Sequence, residues 1–163
     1  LRSRRPQADG VMTGARIRPG TAADRDAVLA LLEQSALPTR DIVDAAVRFW
    51  IAEQGTRLVG VVGLERHGAH GLLRSLAVAP DVRGSGLGVG LVATLEQAAR
   101  QSGIDGLVLL TETARTFFER LGYTVIARGD APPAVQASTE FRSICPATAT
   151  CMWKAIAGGS HGA

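Results

Sequence analysis

Apolar residues recur along this chain at two spacings, and the switches between them outline its elements. Residues 15–18 alternate as a short first strand, and Thr21-Ala22-Ala23-Asp24 then reads as a capping box opening a helix with the stripe Val28, Leu31 and Leu32. Leu37-Pro38-Thr39 breaks that helix, Thr39 or Asp41 can cap a short second one, and residues 47–53 have the bulk of a strand. Gln54-Gly55 turns the chain into the nearly continuous apolar run of residues 58–64, the pattern of a strand covered on both faces. After a reversal at His67-Gly68-Ala69-His70-Gly71, residues 72–78 form an antiparallel partner that ends at Ala79-Pro80. Strict alternation there places Arg74, Leu76 and Val78 on one face and Leu73, Ser75 and Ala77 on the other.

Beyond a glycine-rich turn, Leu87, Leu91, Leu95 and Ala99 recur every four residues, an amphipathic helix stopped by Gly103. Residues 107–110 are a further buried strand. Ala114, Phe117 and Leu121 line a helix that closes at Gly122, and residues 123–127 extend again. Ala131-Pro132-Pro133 opens a segment with short helical character, Cys145-Pro146 punctuates it, and residues 150–156 read as a closing strand. No internal repeat is present. The order strand, helices, three strands, helix, strand, helix, strand and late strand predicts an α/β fold on a mixed sheet. The expected organisation is a basic tail over residues 1–14, one domain over 15–157 and a frayed end over 158–163.

Composition agrees with a single packed core: of 163 residues, 46% are hydrophobic and 20% charged. The formal charge of +3 is misleading as a sign of nucleic-acid binding. Arg2, Arg4, Arg5, Arg16 and Arg18 against Asp9 place +4 in the first 18 residues, which leaves −1 for the remainder. With one tyrosine, two tryptophans and no basic, aromatic-studded strand, the core offers no nucleic-acid surface. No apolar run approaches the roughly 20 residues of a membrane span. The arginine-bearing start lacks the apolar run and cleavage site of a secretory signal, Met12 reads as an alternative start, and the expected location is the cytoplasm.

The stretch Arg83-Gly84-Ser85-Gly86-Leu87-Gly88, between a strand and a helix, is the most informative chemically. Unpaired N–H groups at a helix start carry partial positive charge, and glycines let a phosphate approach without a Cβ in the way. A triphosphate-binding loop would require a Gly-Lys-Ser/Thr ending, which is absent. In a dinucleotide fingerprint, Gly84 and Gly86 fit the first half but Val89 fills the third glycine position. A glycine turn without a ligand is the alternative.

Residues 73–88, from Leu73-Arg74-Ser75 through Arg83-Gly84-Ser85-Gly86-Leu87-Gly88, closely resemble motif A of the GCN5-related N-acetyltransferases (GNAT), whose signature is Arg/Gln-x-x-Gly-x-Gly/Ala. Ala114 with Phe117-Phe118-Glu119-Arg120-Leu121-Gly122-Tyr123 resembles motif B. The resemblance spans about residues 17–126 and implies a GNAT fold, a mostly antiparallel mixed sheet splayed between two parallel strands and flanked by helices. It also implies acetyl-CoA as cosubstrate, with the pantetheine arm paired along Leu76, Ala77 and Val78. The pyrophosphate would be held by Arg83, Gly84, Ser85, Gly86, Leu87, Gly88 and Val89, and Thr113, Phe117 and Phe118 would close the slot. Shorter strings, among them Leu37-Pro38-Thr39, Gly63-Leu64-Glu65, Ser138-Thr139-Glu140-Phe141 and Cys151-Met152, resemble the arsenic-resistance N-acetyltransferases called ArsN. That branch implies a small acidic acceptor, an amino-acid analogue of the arsinothricin or phosphinothricin kind, acetylated on its primary amine.

Acetyl transfer needs a neutral amine, a polarised thioester carbonyl and a proton for the departing thiolate. Motif context makes Glu65 the leading base, against a structural pairing with Arg66 or Arg74; Glu112 is a weaker candidate, and Glu119 fits a helix-face pair. Phe118 stands where many relatives have a proton-donating tyrosine, so Ser75, Thr111 or water is left for that role. Arg74 is a candidate anchor for substrate carboxylate or phosphinate, with an ion pair to Glu65 as the alternative. His67 and His70 alone do not make a metal site, and Cys145 and Cys151 are wrongly spaced for a zinc knuckle, so no metal is expected. Those thiols leave open a second class, an acetyl-CoA-binding sensor of soft metalloid. A third reading is a protein or antibiotic acetyltransferase of the same fold. The late strand, if exposed, could pair two subunits.

Overall fold

The structure, a computed structural model, describes residues 11–12, 14–39, 42, 46–144 and 148–156. Among these, eight strands form one sheet: β1 (Val11–Met12), β2 (Ala15–Pro19), β3 (Val47–Gln54), β4 (Arg57–His67), β5 (His70–Val78), β6 (Gly106–Thr111), β7 (Thr124–Ile126) and β8 (Thr150–Ala155). Their spatial order is β1-β2-β3-β4-β5-β6-β8-β7, and every neighbouring pair is antiparallel except the parallel β5 and β6. The helices are α1 (Arg25–Gln34), α2 (Leu87–Gln101), α3 (Arg115–Arg120) and α4 (Pro133–Gln136). None of the described helices is long and apolar enough to cross a membrane.

The Thr21 capping box forms, the Thr21 N–H donating to Asp24 at 2.7 Å, but it opens a single 3-10 turn that leads into α1. That helix ends at Gln34, ahead of the expected proline break, with Ala36 at φ +59° reversing the chain. The second helix expected after Thr39 falls largely outside the described residues. The expected α2 stripe is buried throughout, Leu87, Leu91, Leu95 and Ala99 all facing the sheet. Burial of each such leucine contributes roughly 1.5–3 kcal/mol.

Three expectations are corrected. Val11–Met12, assigned to the tail, pair with residues 15–16 through a turn at Gly14, because the apolar pair can extend the β2 ladder. The late strand β8 is not an edge: it lies between β6 and β7, hydrogen-bonded on both sides, and so offers no free ladder to a second subunit. Its Trp153 crosses Gly106, where a Cβ would fall 2.1 Å from the indole. Strict alternation along β5 also fails. Gly63 pairs with Arg74 but Val61 pairs with Ala77, so β5 carries one residue more than β4 across this stretch, and Ser75 takes φ +61°. This bulge puts Arg74 and Ala77 on one face and turns Leu76 and Val78 to the other, toward α2.

Candidate active site

The pairing of β5 with β6 is brief. It runs through His70–Gly106, Gly71–Leu107 and Leu72–Val108 and then stops, although β5 continues to Val78 and β6 to Thr111. A cavity of about 360 Å³ fills the divergence. Its wall takes Arg74, Ser75 and Leu76 from β5 and Leu110 and Thr111 from β6. Glu112, Thr113 and Ala114, Phe118 of α3, residues 35–38 after α1, and Glu140 complete it with Ala149. A cavity of that size suits a small ligand, and the β5 backbone beyond Leu72, freed of β6, has a ladder edge to offer it.

The glycine loop stands at the start of α2. Gly84 and Gly86 have φ of +81° and +85°, and a Cβ on Gly84 would meet nothing within 4 Å. Gly90 makes the first intrahelical bond shown, to the Gly86 carbonyl, so the N–H groups of Leu87, Gly88 and Val89 have no carbonyl one turn behind them. An open, glycine-bounded helix N-terminus of 15 residues is a fit for a pyrophosphate. The Leu87 side chain is core, leaving only its backbone for a ligand. Arg83 folds back, its Nε donating to the Val78 carbonyl at 3.1 Å, and Ser85 Oγ donates to Val82 at 2.6 Å. Phe117 packs against Gly88, and Phe118, buried, makes edge contacts with Phe117 and Tyr123.

The candidate catalytic residues are distributed unevenly. Ser75 and Thr111 both line the cavity, and Thr111 Oγ1 accepts the Ala114 N–H at 2.9 Å, which fixes its orientation at the entry to α3. Glu65 is buried but does not line the cavity. One of its oxygens accepts from Arg74 Nη1 at 3.0 Å and the other lies 2.8 Å from His67 Nε2. The Arg74 side chain is 0% exposed and its Nε is 3.2 Å from Glu140 Oε1, so one guanidinium stands between two carboxylates. Glu112 is exposed at the cavity rim, and Glu119 pairs with Arg115 one turn back at 3.0 Å.

Glu140, itself buried, was given no role by the sequence reading. It sits at the start of a π-helical turn, Glu140–Ile144, in a segment with no period, and neither spacing nor composition marks it. Of the two cysteines, Cys151 is buried in β8, and burial pushes its thiol up to about 11. Cys145 lies outside the described residues. His70 stacks near Trp153, ring centroids 5.8 Å apart.

An α/β sheet opened between parallel strands, beside a glycine-bounded helix N-terminus, is an architecture suited to a phosphate-bearing ligand. The family description "Acetyltransferase (GNAT) domain" matches residues 45–125, and the chain carries a GNAT acetyltransferase domain. Over 97 aligned residues it is 35% identical to probable N-acetyltransferase family 8 member 5 of Mus musculus, covering 52% of this chain and 42% of that one. The match thus spans well under half the length of that relative. A GNAT-family acetyltransferase of Staphylococcus aureus superposes with a TM-score of 0.72 at 17% identity, covering 87% of this chain and 99% of the other. A Mycobacterium tuberculosis protein crystallised with CoA gives 0.71 at 24% identity, covering 85% and 98%. The N-acetylglutamate synthase of Neisseria gonorrhoeae, crystallised with coenzyme A and N-acetyl-glutamate, gives 0.73 at 21% identity, covering 87% of this chain and 35% of the other. At these identities the structural likeness is one of fold.

Proposed function

We propose that the protein transfers the acetyl group of acetyl-CoA to the primary amine of a small molecule held in the cavity between β5 and β6. The carrying observation is the end of the β5–β6 ladder at Leu72 and Val108, with the cavity in the opening. The backbone from Leu76 to Val78 would pair with the pantetheine arm and place the thioester at the cavity. The loop from Arg83 to Val89 would receive the pyrophosphate, Arg83 leaving the Val78 carbonyl for an anion. Bound there, acetyl-CoA supplies the activated acyl group, and a β5 N–H near Val78 would stabilise the oxyanion. Among the hydroxyls on the cavity wall, Ser75 and Thr111 are the candidates to give a proton to the leaving thiolate. CoA-bound structures of similar fold support this reading.

The narrower acceptor class, small acidic amino-acid analogues of the arsinothricin or phosphinothricin kind, is supported by the ArsN-like strings and by Arg74 in the cavity wall. It requires an incoming carboxylate or phosphinate to displace Glu140 from the guanidinium. The test is thiol release from acetyl-CoA with arsinothricin, phosphinothricin, glutamate, an aminoglycoside and a lysine peptide. Selective turnover of the acidic analogues is the expected outcome. Preference for the aminoglycoside or the peptide overturns the narrower class, and silence with CoA still binding overturns the transferase reading in favour of a sensor.

A further inference from the structure

A second cavity, of about 370 Å³, lies between the start of α1, the end of β2 and the start of β3, and it shares no lining residue with the one between β5 and β6. Helix α1 borders both, its first two turns at this cavity and the residues after its last turn at the other. We propose that this second cavity binds a small carboxylate that carries a flat apolar body. Val28 and Leu29 of α1, with Phe49 and Trp50 of β3, make its apolar wall. Trp50 is 4% exposed, and its indole N–H donates to none of the described residues, although a buried indole ordinarily finds an acceptor.

The uncommitted charge on this wall is cationic. Arg25 opens α1, and Arg48 holds its guanidinium over the Trp50 ring, 4.8 Å from the centroid. Both line the cavity, both are exposed, and neither forms an ion pair with a described residue. Asp24, the one carboxylate among the described lining residues, is already committed. Arg18 donates to its two oxygens at 2.8 and 2.9 Å, and the Thr21 N–H donates to it at 2.7 Å. A guanidinium fork matches a carboxylate with two parallel hydrogen bonds, and one already held against a ring has less freedom to lose on binding. An incoming carboxylate would therefore meet positive charge that no acid has neutralised, with the Trp50 N–H as a further donor. A ring attached to it would lie against Phe49 and Trp50, and a cavity at the small end of ligand sites limits the body to about that size.

The experiment titrates the full chain by calorimetry with benzoate, using benzamide as the ring without charge and acetate as the charge without a ring, each in the absence and presence of saturating CoA. Benzoate is expected to bind saturably, about tenfold or more tightly than either control, and to stay bound when CoA is saturating. Arg25→Met and Arg48→Met replace exposed side chains and are expected to keep the wild-type melting temperature and CoA affinity. Each should weaken benzoate by about tenfold and leave benzamide unchanged. The proposal is overturned by the absence of saturable benzoate binding, by equal affinity for benzamide, or by wild-type benzoate affinity in both variants. Displacement of benzoate by CoA overturns it as well, because the probe would then occupy the cavity between β5 and β6.

Discussion

Glu96 and Glu140 are both carboxylates buried to within a few per cent, and each is met by a cation from a strand, yet their surroundings differ. Glu96, on α2, accepts the Tyr123 hydroxyl at 2.8 Å and the Lys154 ammonium at 3.1 Å on each oxygen, and the same ammonium donates to the Leu121 carbonyl at 2.8 Å. Lys154 and, at 3.8 Å, Arg100 pair with this one acid, and the cluster pins α2, the end of α3 and β8 together. Burial and the Glu96 charge hold the Tyr123 hydroxyl protonated. Around Arg74 two buried acids, Glu65 and Glu140, approach one guanidinium, and Arg74 and Glu140 both line a cavity. A charge cluster sealed in a packed core holds structure; one whose members line a cavity is also able to meet a charged ligand.

The comparison can be broken by removing each cation. Arg74→Met removes the buried cation that Glu65 and Glu140 both meet and is expected to lower unfolding stability by about 3–5 kcal/mol in denaturant melts, with acetyl transfer lost. Lys154→Met keeps the aliphatic stem and leaves Glu96 its tyrosine hydroxyl and Arg100 at 3.8 Å, so a cost of about 1–3 kcal/mol is expected, with acetyl-CoA affinity unchanged. Equal costs in the two melts would erase the distinction between the two clusters. The smallest effect belongs to a surface pair that resembles neither cluster. Arg57 holds the exposed Asp81 carboxyl down from 3.8 to about 2. A lowered folded pKa contributes stability above about pH 4 that is lost as pH falls toward 2, so Arg57→Ala should slightly flatten that acid limb in low salt and change nothing near neutrality.

Much of the framework was legible in residue order. The α2 stripe, the β4 and β5 hairpin and the glycine turn at the start of α2 each follow from a local rule, since periodicity, turn chemistry and capping act over a few residues. The faces of β5 were misread because an inserted residue at Ser75 reverses the alternation, and Ser75 is not a residue type that announces a left-handed φ. Glu65 and Arg74, close in sequence across a hairpin, were foreseen as an alternative pairing. Glu140 was not, as the segment carrying it has no period and its partner lies on a strand far back in the chain. Lys154 and Glu96 escaped notice for the same reason: an α2 stripe read by hydrophobicity passes over a buried acid whose counterion is on β8.

Residue order alone therefore sets the class of elements, their sequence and the phosphate-competent turn, because backbone dihedral preference and amphipathic spacing are short-range. The tertiary structure decided that β8 enters between β6 and β7, that β5 and β6 part after three pairs, and that Glu140 shares Arg74 with Glu65. These depend on ladder register and on Coulomb interactions between residues distant in the chain, neither of which exists until the sheet has closed.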